Sequence, residues 1–95
     1  MTHYVLIKFK PGTDLDAAYA RVASTYAALD AALTYLHDAT VYRCCVERDS
    51  NADVMAVIHL DGAEHLQPYL THPLHMAMAM DLKESIASKI SFDHN

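Results

Sequence analysis

Two short stretches of this chain read as β-strands with apolar residues on both sides. The first is His3–Phe9, HYVLIKF, where His3, Val5, Ile7 and Phe9 alternate with Tyr4 and Leu6. The second is Asp53–Leu60, DVMAVIHL, where Val54, Ala56, Ile58 and Leu60 alternate with Met55, Val57 and His59. Successive strand residues point to opposite faces, so each strand offers an oily surface in both directions. A strand of that kind is normally covered on both faces. A chain of 95 residues makes one domain, residues 1–95, and so small a domain has little material for two covers.

The rest of the chain supplies one cover. Pro11-Gly12 ends the first strand. Thr13 is expected to open a helix, with Asp16 three residues on as a weak capping-box partner. Leu15, Tyr19, Val22, Tyr26, Leu29 and Leu33 then recur at spacings of four and three, a single apolar stripe. Tyr19 and Tyr26 are candidates to line a pocket, because a buried phenol needs a partner. Thr34–Val46 reads as a longer second strand, and Glu47–Ala52 as a polar hairpin loop before the third. A short helix is expected from Asp61 to about Leu70, cut by Pro68. Pro73 suits the first turn of another helix, which His72 leads into and which carries Leu74, Met78, Leu82 and Ile86 on one side. Lys89–Asp93 reads as a final strand.

The order β-α-β-β-α-β, with its second helical region broken in two, predicts an α+β ferredoxin-like fold: a four-stranded antiparallel sheet with helices on one face. The helices leave the other face uncovered. The simplest cover is a second copy, giving a homodimer whose two sheets form an α/β barrel.

Composition excludes several partners. The formal net charge is −5, and the seven Lys and Arg are scattered, so no nucleic-acid surface is expected. No apolar run is long enough to span a membrane. The two cysteines, Cys44 and Cys45, are adjacent; a bond between them would be strained, and free thiols fit the cytoplasm. Spacing for a metal site is lacking: His72 and His75 lie three apart, but zinc takes three or four ligands. No metal and no cofactor are expected.

The segment Tyr69-Leu70-Thr71-His72-Pro73-Leu74-His75 holds the best chemistry. His75 can take and return a proton near neutrality. Tyr69 can hold an oxygen that gains negative charge. His72 precedes a proline and is suited to bond the free N–H groups of the helix start, and it is also kept as a ligand contact. Met76, Met78 and Met80 offer soft, adaptable packing.

The element order, the opening HYVLIKFKPG, the late HLQPYLTHPLH and the ending SKISFDHN together resemble the stress-responsive A/B barrel domain (Dabb) family. The resemblance implies a dimeric α+β barrel with a pocket between sheet and helices. One plant member is a polyketide cyclase that works without a cofactor. Its motif tyrosine and last motif histidine are catalytic, which carries over to Tyr69 and His75. A histidine near its start also lies by the pocket and matches His3. This chain departs from that enzyme at Val54, where the cyclase has a histidine, and at Pro68, where it has an acidic residue. The expectation is a dimer that binds a small, mostly apolar molecule bearing a carbonyl or phenol. His75 and Tyr69 are the catalytic candidates, and His3, Tyr19, Tyr26 and His72 the ligand contacts. Two rivals stand beside it: a non-catalytic stress-related oligomer, and a cofactor-independent monooxygenase of the related dimeric ferredoxin-like group.

Overall fold

A computed structural model describes residues 1–95. Four strands, β1 (Thr2–Phe9), β2 (Leu36–Arg43), β3 (Val54–Leu60) and β4 (Ile86–His94), form one antiparallel sheet in the order β2-β3-β1-β4. Three helices, α1 (Leu15–Ala32), α2 (Leu66–Leu70) and α3 (Pro73–Leu82), complete the expected ferredoxin-like arrangement.

The expected strand faces hold. His3, Val5, Ile7 and Phe9 of β1 are buried, as are Val54, Ala56, Ile58 and Leu60 of β3. All but His3 form the core with Ala18, Val22, Tyr26 and Leu29 of α1, and with Tyr69, Met78 and Leu82 from the later helices. The opposite face carries a second apolar surface. Register aligns Tyr42, Met55, Leu6 and Ile90 in one row across the sheet, and Val57, Tyr4 and Phe92 in the next. Tyr42, Ile90 and Phe92 are each more than half exposed in the single chain.

Several boundaries differ from expectation. The cap of α1 is Asp14, not Thr13: its carboxylate accepts from the Ala17 N–H, the bond an N-cap makes to the third helical residue. Thr13 instead bonds back to the Lys10 carbonyl, closing a turn in which Gly12 takes a left-handed φ of 87°. β2 is shorter than Thr34–Val46. Leu33 ends α1, the Asp30 carboxylate holds the Ala39 N–H, and pairing stops at Arg43 because β3 begins opposite it at Val54. Cys44 and Cys45 therefore lie past the strand, both exposed. The helix expected at Asp61 begins as a single 3-10 turn, Ala63–His65, before α2. Ile86 belongs to β4 rather than to the apolar side of α3. That strand starts earlier than Lys89, because pairing with β1 runs back to Phe9.

Candidate functional site

A cavity of about 530 Å³ lies between α3 and the β1–β4 half of the sheet, with Tyr26 of α1 on its inner wall. That volume suits a small organic ligand. Most of its lining is apolar, drawn from β1, α3 and the start of β4, and it includes all three methionines of the MAMAM run. Met78 is buried, while Met76 and Met80 stand exposed at the rim.

Four of the expected site residues meet here: His3, Tyr26, Tyr69 and His75. Each arrives by a different route. His3 is the third residue of the chain and faces inward because β1 alternates. Tyr26 is one point of the α1 stripe. Tyr69 belongs to α2, a helix of five residues that ends soon after Pro68. His75 is the third residue of α3, in its first turn and two residues past the proline that starts it.

The Tyr26 and Tyr69 hydroxyls are 2.5 Å apart, and both side chains are almost wholly buried. Burial pushes both phenols above their ordinary range; at Tyr69 the neighbouring Tyr26 adds to the rise, while at Tyr26 the bond from Tyr69 opposes it. The pair stays neutral at any physiological pH and acts as hydrogen-bond donor and acceptor, not as a base. The Tyr69 ring meets His75 edge-on at 4.9 Å between centroids and His3 edge-on at 5.5 Å. His75 is half-buried. Burial holds its imidazole below the usual histidine range, the charge on Lys89 adds to that, and the Leu70 backbone opposes it. A neutral imidazole at pH 7 is a free base.

His3 is buried and its Nδ1 lies 2.5 Å from a carboxylate oxygen of Asp93. This pairing was not foreseen from the sequence, which placed Asp93 only at the end of the final strand. The signal was available in the register: His3 faces Asp93 across β1 and β4, on the inner side of the sheet. Ser91 and Lys89 follow on that same side, opposite Val5 and Ile7, and both line the cavity with Lys83.

Two expected contacts lie elsewhere. Tyr19 packs against the core, 3.4 Å from the Val41 carbonyl, and is absent from the cavity wall. It falls one turn of α1 before Val22, over β2, whereas the cavity lies toward β4. His72 is also outside: its Nδ1 accepts the Leu74 N–H and caps α3, the role its position before Pro73 suggested. His65 is stacked on Tyr35, with 4.4 Å between ring centroids. No group of three or more His, Cys, Asp or Glu side chains comes together in a way that could hold a metal ion. No helix is long and apolar enough to cross a membrane.

Comparison with known proteins agrees with this fold. The family model of the stress responsive A/B barrel domain matches residues 1–95. No curated protein matches the chain by sequence. Among solved structures, a dimeric protein of ferredoxin-like fold from Bacteroides fragilis is 20% identical with a TM-score of 0.86, covering 99% of this chain and 93% of that one. A Bacteroides thetaiotaomicron protein named as an antibiotic biosynthesis monooxygenase is 9% identical with a TM-score of 0.80, covering 100% of this chain and 87% of that one. A hydroxynitrile lyase from Passiflora edulis is 9% identical with a TM-score of 0.75, covering 99% and 92%. At such identities the likeness is one of fold.

Proposed function

The chain belongs to the stress responsive A/B barrel family, and from that premise we propose that it works as a homodimer, each protomer binding a small, mostly apolar molecule that bears a carbonyl or phenol and catalysing proton transfer on it. The observation that carries this reading is the grouping at the cavity wall. A half-buried histidine held in its neutral form lies beside a buried phenol that already has a hydrogen-bond partner. The dimer is supported by the bare apolar face of the sheet and by the dimeric state of the Bacteroides fragilis neighbour.

In the proposed reaction His75 takes a proton from the carbon next to the ligand's carbonyl. The electron pair left behind moves onto the carbonyl oxygen as an enolate. Either hydroxyl of the Tyr26–Tyr69 pair can be the donor; with Tyr26 donating to the Tyr69 oxygen, the Tyr69 proton is left for that enolate. His75 then returns its proton to carbon. Tyr69 lines the cavity but is wholly buried, so its hydroxyl is reached only when a neighbouring side chain shifts; Met78, which lines the same cavity, has a thioether chain that deforms at little cost. His3, fixed by Asp93, also packs edge-on against the Tyr69 ring.

The test uses an apolar ketone, 2-acetylnaphthalene, in deuterated buffer. The protein is expected to speed exchange of the ketone's methyl protons above the buffer rate, and His75→Ala to abolish that gain with the dimer intact. Equal exchange in the two proteins would reject His75 as the base. A monooxygenase is the second reading, favoured by the name of the Bacteroides thetaiotaomicron neighbour. Oxygen uptake with quinols, retained in His75→Ala, would support it instead. Assemblies well beyond a dimer, with neither exchange nor uptake, would return the protein to a purely structural role.

A further inference from the structure

The wall that β4 gives the cavity is reversed in polarity. The apolar residues of this strand, Ile90 and Phe92, point to the outer face, where they sit opposite Leu6 and Tyr4. Its inward residues are Lys89, Ser91 and Asp93, opposite Ile7, Val5 and His3. An ordinary core strand would have the opposite pattern. β4 is an edge strand, and the helices do not cover its inner side, so these groups border the open part of the cavity. Asp93 is held by His3. Lys89 has no such partner, nor has Lys83, which enters the lining from the 3-10 turn after α3. Neither ammonium makes an ion pair or a side-chain hydrogen bond. The carboxylates Asp16 and Asp81 are taken by Arg43 and Arg21.

Two unpaired cations on one apolar cavity are unusual in a chain that has only seven Lys and Arg and a formal charge of −5. The body of the protein repels anions, so an anion that enters here must be held locally. The rest of the lining, chiefly Val5, Ile7, Met78, Leu82 and Ile86, suits an apolar body. We infer that the cavity's ligand is amphipathic and anionic, a carboxylate or equivalent group seated between Lys83 and Lys89, with Ser91 as a donor beside it and the apolar part reaching inward to Tyr69 and His75. The inference rests on the reading of this cavity as a ligand site and narrows its substrate class to apolar acids with an oxygen function at the far end.

The test compares two fluorescent probes that share one skeleton. N-phenyl-1-naphthylamine is neutral, and 8-anilino-1-naphthalenesulfonate adds one negative charge. The full-length protein is expected to bind both and to favour the anionic probe by about tenfold at low salt, on the order of threefold for each rim ammonium. That preference fades toward 1 M salt, where the Debye length falls to about 3 Å. In the Lys83→Met/Lys89→Met variant the preference disappears and the neutral probe binds as before. A control, Lys10→Met/Arg48→Met, removes the same charge elsewhere on the chain and keeps the preference. Equal binding of the two probes by the unaltered protein, or an equal loss in the control, overturns the anionic seat while the cavity reading stands. Failure of both probes to bind overturns the cavity reading and the inference with it.

Discussion

Replacing Phe92 with alanine is expected to weaken self-association by about a hundredfold while leaving each protomer folded. Phe92 is 63% exposed in the single chain and lies on the outer face opposite Tyr4, so a partner sheet is what would cover it. A phenylalanine side chain presents about 200 Å² of surface, which makes about 125 Å² available for burial against a second copy. At about 25 cal/mol per Å² that is about 3 kcal/mol per copy, and about 6 kcal/mol for the two copies that a two-fold axis brings together. Alanine keeps the Cβ contact and neighbouring side chains relax into the gap, so about half of that sum, about 3 kcal/mol, is expected to appear. Each 1.4 kcal/mol is tenfold in Kd. The protomer is spared because Phe92 is on an edge strand and outside the core. Sedimentation equilibrium over a range of concentrations reads the constant directly, and circular dichroism checks the fold. Met80→Ala, which removes an even more exposed apolar residue from the helix side, should leave the constant unchanged. An unaltered protein that stays monomeric at high concentration, or a Phe92→Ala constant equal to the original, would refute the twin-sheet argument.

Three further outcomes follow from particular contacts. Tyr26→Phe leaves the buried Tyr69 hydroxyl without its partner and should lower stability by about 1–3 kcal/mol; the double variant Tyr26→Phe/Tyr69→Phe should cost less than the sum of the two single changes, as urea titration of the cycle would reveal. His75 has its folded pKa below the unfolded value of 6.5, so the unfolded chain takes up that proton first as the pH falls. Stability is therefore highest above pH 6.5 and drops as the pH descends toward the folded pKa. The melting temperature of His75→Gln should fall less between pH 7 and pH 5 than that of the unaltered protein. Asp14→Ala removes the cap of α1 and should cost about 1 kcal/mol by denaturant titration, whereas Thr13→Ala should cost less, since Thr13 bonds only to the turn before it.

Periodicity made the fold legible. Alternation in HYVLIKF and VMAVIHL, and the four-and-three spacing of the α1 stripe, are local consequences of backbone geometry, and they identified the inward faces of β1, β3 and α1 correctly. The doubly apolar strands also exposed the need for a second cover, and the broken helical region was visible in Pro68 and Pro73. Where pairing rather than periodicity sets a limit, the sequence reading missed. β2 stops at Arg43 and β4 begins at Ile86 because of where their neighbours lie.

The same division runs through the site. His72 could be assigned to the start of α3 from its place before Pro73, since capping is decided within a few residues. Which of the other side chains share a cavity depended on contacts between distant parts of the chain. His3 and Asp93 are at opposite ends of the sequence, and only the antiparallel register of β1 with β4 makes them neighbours. Tyr19 and Tyr26 are two turns apart on one stripe, yet they lie over different strands, so only Tyr26 reaches Tyr69. The sequence by itself determined the elements, their inward faces and the chemistry on offer, because those depend on short-range geometry and side-chain type. The tertiary structure alone decided that two tyrosines, two histidines and an unpaired lysine wall share one space, because strand register and helix placement depend on the whole chain packing at once.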